Sequence, residues 1–283
     1  LKLSRGLGDV YKRQTLKEAA LNNQIAPMKG FGAKSQQRML DGIELLSRFR
    51  ARRRLDIGLR YGEAFQRKIA TLDGVHRATL AGSARRRKDT IGDLDVVVAV
   101  DEDDHEAVAN AILNLPGIAD VKGAGDSKIS LILDTTIFDD SFTVGHIDAN
   151  VLDAIGGDDY EQLEAGGTID AQVRLVPPHV EPFTLAYFTG SKEHNIAMRQ
   201  RAIDRGLRLN EFGLIPEAKA GELKGMDAAV FSLPAADEAA IYQHLDLVYV
   251  PPELREDMGE VQAAQDGNLP VSYTHLRAHE TAS

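Results

Sequence analysis

The stretch of this 283-residue chain that is best suited to chemistry runs from Gly82 to Asp95, and reads Gly-Ser-Ala-Arg-Arg-Arg-Lys-Asp-Thr-Ile-Gly-Asp-Leu-Asp. It is followed by Val-Val-Val-Ala-Val at Val96–Val100, which predicts a buried strand. Because side chains alternate between the faces of a strand, Asp93 and Asp95 are expected on one face at its start. Two carboxylates so close repel each other unless a cation lies between them, and Mg²⁺ is the oxygen-loving candidate.

The turn ahead of these carboxylates is suited to binding phosphate. Gly82 and Ser83 offer backbone N–H groups, and the run Arg85–Lys88 offers four positive charges. A metal beside a polyphosphate is the arrangement of phosphoryl or nucleotidyl transfer. Either piece alone is ordinary, since Asp-x-Asp occurs in many loops and a basic run is commonly a solvated face. Their order beside a buried strand favours the chemical interpretation.

Both ends of the sequence are interpreted as non-native. Asp9–Gln14 can be encoded by a short DNA sequence whose reverse complement, read in another frame, encodes Val271–His275. That DNA sequence resembles the mosaic-end adapter of transposon-based sequencing libraries. We therefore expect residues 1–14 and 271–283 to be adapter-derived and the remainder to be an internal fragment of a longer protein.

Composition indicates a packed globular enzyme. Hydrophobic residues make up 43% of the chain, and no apolar run reaches the ~18 residues of a membrane span. The absence of cysteine excludes disulfides and thiolate metal sites and agrees with a cytoplasmic location. A net charge of −10 is the wrong sign for a protein that coats nucleic acid. The basic segments Arg48–Arg60 and Arg85–Lys88, beside acidic Asp101–Glu106 and Asp153–Glu164, suit an enzyme that binds DNA in one channel.

Helices and strands that position these residues follow from the hydrophobic spacing. Helices are predicted at Thr15–Asn22, Ser35–Arg52, Asp56–Leu72, His105–Leu115, Asp158–Ala165, from Phe183 onward, Lys192–Arg205 and Asp237–Leu247. Strands are predicted at Val75–Ala81, Lys128–Leu133, Phe142–Val151 and Thr168–Val176, and an extended segment with a turn at Leu207–Leu214.

The connection between the first two helices contains Gly30-Phe31-Gly32. Such a turn ahead of a helix resembles the helix-hairpin-helix module, which holds a DNA phosphate without reading sequence. On this interpretation Gly30, Gly32 and Lys34 are DNA-binding residues. The alternative is an ordinary connection between helices.

Several motifs in order resemble the polymerase core of the bacterial family X DNA polymerases. They are Gly82-Ser83-x-Arg85-Arg86 with Gly92-Asp93-x-Asp95, Tyr187–Ser191 with Asn195 and Arg199, Leu209–Leu214 and Val250–Glu256. The resemblance implies an α+β fold whose nucleotidyltransferase-type palm has a mixed sheet. The palm is expected at 55–182 with an acidic insertion at about 134–167, after a helix-hairpin-helix segment at 15–54 and before a thumb-like subdomain at 183–270.

The resemblance also implies a function, which is gap filling in DNA repair by a DNA-directed DNA polymerase. It implies two Mg²⁺ ions as cofactors, with Mn²⁺ as an alternative. It also implies a monomer that does not associate with a membrane and that binds double-stranded or gapped DNA and deoxynucleoside triphosphates. The implied nucleotide-binding residues are Gly82, Ser83, Arg86, Gly92, Tyr187, Phe188, Gly190, Ser191, Asn195 and Arg199. Asp93 and Asp95 are the implied metal ligands and, with Asp170, the catalytic residues. His194 is expected on a helix surface.

One position departs from the family pattern. The third catalytic carboxylate is expected on a later strand, and there this chain has Gln172, followed by Val-Arg-Leu-Val-Pro. An amide offers a carbonyl oxygen to a metal, but it brings no charge and cannot accept a proton as a carboxylate does. Asp170 can replace it only if the strand slides by one pleat or the acidic insertion reshapes the site. Asp148 is a remoter candidate.

Two other interpretations remain open. In the first, the core has lost or weakened catalysis and positions DNA for a C-terminal PHP-type 3′–5′ exonuclease domain, expected beyond Pro270 and missing here. In the second, the chain is a non-templated nucleotidyltransferase, which would share only the Gly-Ser and Asp-x-Asp elements. The Gly30–Gly32 turn and the Tyr187–Ser191 motif argue against the second.

Overall fold

The structure, a computed structural model, describes residues 15–28, 30–125, 127–137, 167–222 and 224–269. The predicted elements Phe142–Val151 and Asp158–Ala165, the candidate Asp148 and both adapter-like ends lie outside these residues. The chain divides into a first unit that ends at Arg53 and a second that begins at Arg54.

The first unit is helical. Helix α1 is described over 15–21, and helix α2 spans Ala33–Ala51. In the connection, the Phe31 N–H donates to the Met28 carbonyl at 2.9 Å, and the Ala26 N–H donates to Gln36 Oε1 at 2.9 Å. Gly30 has φ +89°, a conformation that glycine adopts readily. The two predicted helices are confirmed, whereas the DNA-binding role of Gly30, Gly32 and Lys34 stays a prediction.

The second unit is α+β. After β1 (Arg53–Arg54), at the boundary, come α3 (Leu55–Ala70), β2 (Val75–Leu80), α4 (Gly82–Arg85), β3 (Thr90–Ile91), β4 (Asp93–Val100), α5 (His105–Leu113), β5 (Ile118–Ala124), β6 (Lys128–Leu133), β7 (Ile169–Val176), α6 (Glu181–Thr189), α7 (Lys192–Ile203), β8 (Leu207–Asn210), β9 (Gly213–Pro216), α8 (Glu238–His244) and α9 (Glu260–Gln265). Short 3₁₀ turns lie at Glu102–Asp104, Thr135–Ile137, Glu217–Lys219, Gly225–Phe231 and Pro252–Leu254.

A five-stranded mixed sheet is the centre of the second unit. Its strand order is β2-β4-β7-β6-β5, in which β4 and β7 run parallel and the other neighbours antiparallel. One face of the sheet, with Val96 of β4 and Val173 of β7, packs in a core that includes Phe65 of α3 and Ile112 of α5. Because side chains alternate along each strand, the polar residues of β4 and β7 project from the opposite face.

Two further apolar clusters position the C-terminal elements. Val97 and Val176 on the polar-bearing face pack with Leu185 of α6, which places α6 against the sheet. Phe183, Met198 and Tyr242 belong to a larger cluster of the C-terminal helices and β9. None of the described helices is long and apolar enough to cross a membrane.

Candidate active site

The parallel pairing of β4 with β7 brings four polar side chains together. The Cα register pairs Asp93 with Asp170 and Asp95 with Gln172. Paired residues on neighbouring strands project to the same face, so all four side chains lie side by side. On the other edge of β7, Gln172 pairs with Ser130 of β6. The structure therefore has Gln172, rather than Asp170, directly opposite Asp95.

Asp170 lies toward the rim of this group. Its Oδ1 is 2.6 Å from Lys122 Nζ of β5, and its side chain is 53% exposed. The structure thus brings Asp170 to the predicted face beside Asp93, but the Lys122 ammonium already neutralises it. Its catalytic role stays a prediction.

Asp95 is the electrostatically unusual carboxylate of the group. Burial, followed by the negative charge of Asp93, raises the pKa of Asp95 from 3.8 to about 7, against the opposing influence of Arg174, Arg86 and Lys128. A bound cation that balances the charge stabilises the ionised form of such a carboxyl group.

The residues present fit a magnesium ion. Asp93 and Asp95 supply carboxylate oxygens, and the Gln172 amide supplies a carbonyl oxygen on the same face. Mg²⁺ is commonly held by one or two carboxylates, with water and substrate phosphates completing its shell. Among the residues that the structure describes, no group of three or more His, Asp or Glu side chains is arranged to hold a metal.

Gly82 allows the turn to approach the carboxylates. It has φ +60°, and a Cβ built on it would collide with the Asp95 carboxylate. The neighbouring Ala81 N–H donates to the Asp95 carbonyl at 2.8 Å, which ties the turn to the start of β4. Ser83 follows in the single turn of α4. Glycine is required here both for the backbone conformation and for the space.

Replacing Gly82 with alanine is therefore expected to destabilise the fold by roughly 1–3 kcal/mol and to weaken Mg²⁺ binding by displacing Asp95. Thermal unfolding with and without Mg²⁺ measures both effects. Gly123→Ala is the control, because a Cβ there meets no atom within 4 Å. Equal effects of the two substitutions would contradict the close approach.

The cations after the turn are bound to the C-terminal elements. Arg85 donates to Thr189 Oγ1 at 2.7 Å and forms an ion pair with Glu238. Arg86 donates to the Thr189 carbonyl, and its Nε lies 2.8 Å from Glu256 Oε1. Both arginines therefore connect the glycine turn to the end of α6, where the predicted residues Gly190 and Ser191 follow.

The predicted sugar-and-base residues lie around one cavity and beside Arg174. Tyr187, Asn195 and Arg199 line one cavity between α6 and α7, and Asn195 Nδ2 donates to the Tyr187 carbonyl at 2.7 Å. Phe188 packs edge-on against Tyr187, with the ring centroids 5.2 Å apart, and the Arg174 guanidinium lies 4.4 Å from the Phe188 ring centroid. Arg174 is close enough to Asp95 to influence its pKa. Phe188 thus contacts Arg174, a side chain that also lies near Asp95.

The expectation that His194 lies on a helix surface is wrong. Its side chain is 2% exposed, with Nδ1 2.6 Å from Glu260 Oε1 and Nε2 2.9 Å from the Tyr242 hydroxyl. Burial lowers the pKa of His194 despite the hydrogen bond to Glu260. The neutral ring therefore donates to Glu260 and accepts from Tyr242, which connects α7 to α8 and α9.

A buried ion-pair network was missed by sequence reasoning. Arg255 is 0% exposed, and its guanidinium donates to Glu238 Oε1 at 2.6 Å and to the Val250 carbonyl at 3.0 Å. Glu238 is shared with Arg85, so one carboxylate joins the glycine turn to the segment after α8. The sequence signal was the motif Val250–Glu256, which does not reveal the partners of Arg255.

Comparisons with known proteins show similarity in sequence and in fold. A family model described as DNA polymerase beta thumb matches residues 184–256. The chain is 32% identical over 266 residues to the DNA polymerase/3′-5′ exonuclease PolX of Bacillus subtilis, covering 94% of this chain and 39% of that protein. A solved structure of Leishmania infantum polymerase beta, described as a ternary P/T complex, superposes with a TM-score of 0.57 at 17% identity, covering 85% of this chain and 99% of that one.

The family model matches only the C-terminal part of the chain, whereas the Bacillus match extends over 94% of it, and this chain covers well under half of that relative. The motifs, the α+β palm-and-thumb fold and the sequence identity together make the chain a homologue of the family X DNA polymerases.

Proposed function

We propose that this chain is a DNA-directed DNA polymerase core that fills short gaps during repair, as a cytoplasmic monomer. The observation that carries the proposal is the pair Asp93 and Asp95 next to the Gly82 turn and Arg86. It combines oxygen ligands for a metal with donors for a polyphosphate, as nucleotidyl transfer requires. The relative named as a DNA polymerase and the structure named as a ternary complex support DNA and a deoxynucleoside triphosphate as ligands.

In this proposal the chain's own residues bind and orient the reactants. Ser83 and Arg86 hold the triphosphate, Arg86 as a planar donor to phosphate oxygens. Tyr187 and Phe188 face the sugar, while Asn195 and Arg199 contact the nascent pair and the template. Asp93 and Asp95 hold magnesium, which when bound neutralises the charge that develops on the transferring phosphate. The Gln172 amide orients its carbonyl toward the same face but takes no proton from the primer hydroxyl.

The proposal is tested by Mg²⁺-dependent extension of a primer on a gapped duplex. Changing Asp93 and Asp95 together to alanine is expected to abolish incorporation, because no carboxylate of β4 then remains to hold the metal. Gapped-DNA binding, measured separately, is expected to persist in the variant. Wild-type incorporation no higher than that of the double variant would refute polymerase activity in this chain.

A second candidate function is favoured by the position of Gln172 opposite Asp95. On this proposal the core binds gapped DNA without appreciable synthesis and positions it for a further catalytic portion. The Bacillus relative carries 3′-5′ exonuclease in its name, and this chain spans 39% of its length. Tight binding of gapped DNA by a wild-type chain that incorporates no nucleotide would support this candidate over the first.

A further inference from the structure

The Glu256 carboxylate neutralises two of the cations that follow the glycine turn. Its Oε1 lies 2.8 Å from Arg86 Nε, and its Oε2 lies 3.2 Å from Lys88 Nζ. The Arg86 and Glu256 side chains are only 14% and 26% exposed, so water weakens their attraction less than at an open surface. Burial alone would raise the pKa of Glu256, but the hydrogen bonds from Arg86 and Lys88 hold it below its usual value.

The segment that carries Glu256 has anchors of its own. The Arg255 carbonyl accepts a hydrogen bond from the Ser191 N–H at 3.0 Å. The Arg255 side chain is held by Glu238, and the Glu260 carboxylate accepts from the Met258 N–H at 2.7 Å. Because neighbours on both sides fix the backbone, the Glu256 side chain can leave Arg86 without unfolding of the segment.

We propose that Glu256 is a built-in anionic competitor for Arg86 and Lys88, which only a ligand with several phosphate groups displaces effectively. The inference rests on the proposed function, in which Arg86 binds the triphosphate. A carboxylate offers one negative charge and two oxygens, whereas a polyphosphate offers more charge and many oxygens. A single phosphate makes few contacts in exchange for Glu256, so it displaces the carboxylate only at a much higher concentration than a triphosphate does.

The exchange also makes anion binding and the ion pair mutually exclusive. Each phosphate contact to Arg86 Nε replaces the contact that Glu256 makes in the free protein. Removing the carboxylate while keeping its shape should therefore increase affinity for every phosphate ligand. The gain should be a similar factor for long and short phosphates, because each must break the same ion pair.

Calorimetric titration of the whole chain with inorganic tripolyphosphate and with inorganic phosphate, both without Mg²⁺, tests this inference. Glu256→Gln is expected to bind tripolyphosphate about tenfold more tightly than the wild type and to strengthen the weaker binding of phosphate by a similar factor. Glu256→Asp, which is too short to span both cations, should give an intermediate gain. Glu253→Gln is the matched control, since Glu253 forms no ion pair with any described residue, and it should change affinity by no more than about twofold.

The possible failures are distinguishable. If tripolyphosphate binding depends on Arg86, as judged by its loss in Arg86→Gln, but is unchanged in both Glu256 variants, the competitor inference is overturned and the nucleotide site stands. If Arg86→Gln binds tripolyphosphate as tightly as the wild type does, the proposed nucleotide site fails together with the inference. Unfolding temperatures confirm that each variant is folded before it is titrated.

Discussion

Replacing Gln172 with aspartate is expected to raise the rate of Mg²⁺-dependent primer extension by roughly 100- to 1000-fold, the usual contribution of a positioned proton acceptor. The reason is the strand register, which pairs Gln172 with Asp95 in the group that bears Asp93. A carboxylate at this position adds a negative ligand for the metal and a group that can accept the primer proton. Single-turnover extension of a gapped duplex with saturating nucleotide measures the effect.

Asp170→Asn is the companion variant, because Asp170 is the acidic residue that β7 contributes to this face. It is expected to change extension little, since Asp170 is paired with Lys122 at the exposed rim. The opposite pattern, no gain in Gln172→Asp and complete loss in Asp170→Asn, would identify Asp170 as the third ligand.

The metal-free protein is expected to become more stable when Asp95 is changed to asparagine. The folded-state pKa of Asp95 is raised from 3.8 to about 7, so the folded chain must bury a charge above that pH. At 1.36 kcal/mol for each pKa unit, the penalty is on the order of 4 kcal/mol. This corresponds to an increase of roughly 8–16 °C in the unfolding temperature at pH 8.

The pH dependence fixes the sign of this effect. A raised carboxyl pKa means that the folded state binds the proton more tightly than the unfolded chain does. The penalty is therefore absent below about pH 4, grows between pH 4 and 7, and is complete above pH 7. The stability difference between Asp95→Asn and the wild type should follow this course, which cancels the contributions of the other carboxylates. A difference that does not vary with pH would contradict it.

Magnesium should reverse the order of stability. It is expected to stabilise the wild type by binding the ionised Asp95, and to stabilise Asp95→Asn much less. Lys122→Gln removes the ammonium that neutralises Asp170 but leaves Asp95 unchanged, so it serves as a control for general changes of charge near the site. Stabilisation of the variant by Mg²⁺ to the same extent as the wild type would exclude Asp95 as a ligand.

Elements with strong local patterns were predictable from sequence. The apolar run after Asp95 predicted β4, and the alternation up to Pro177 predicted β7 within one residue. The extended Leu207–Leu214 with its turn is confirmed as the β8–β9 hairpin. For β4 and β7 the hydrophobic pattern fixed the element, because one or both faces of the strand are buried.

Features that depend on distant partners were not predictable. Strand β5 is missing from the prediction because its side chains are largely exposed and show no apolar alternation, so only its pairing with β6 defines it. The polar type of His194 suggested a surface position, whereas Glu260 and Tyr242 satisfy both of its ring nitrogens in the interior. Likewise, nothing local to Glu256 shows that its partners are Arg86 and Lys88.

Strand β7 lies between two partners, parallel β4 on one edge and antiparallel β6 on the other. Hydrogen bonds along both edges fix its register, so the length of chain between Ile137 and Ile169 does not enter the geometry of Asp93, Asp95 and Gln172. Loop closure becomes only slowly more costly as a connection lengthens. Homologues can therefore gain or lose residues in this connection with little effect on the site, while a single substitution at position 172 acts on it directly.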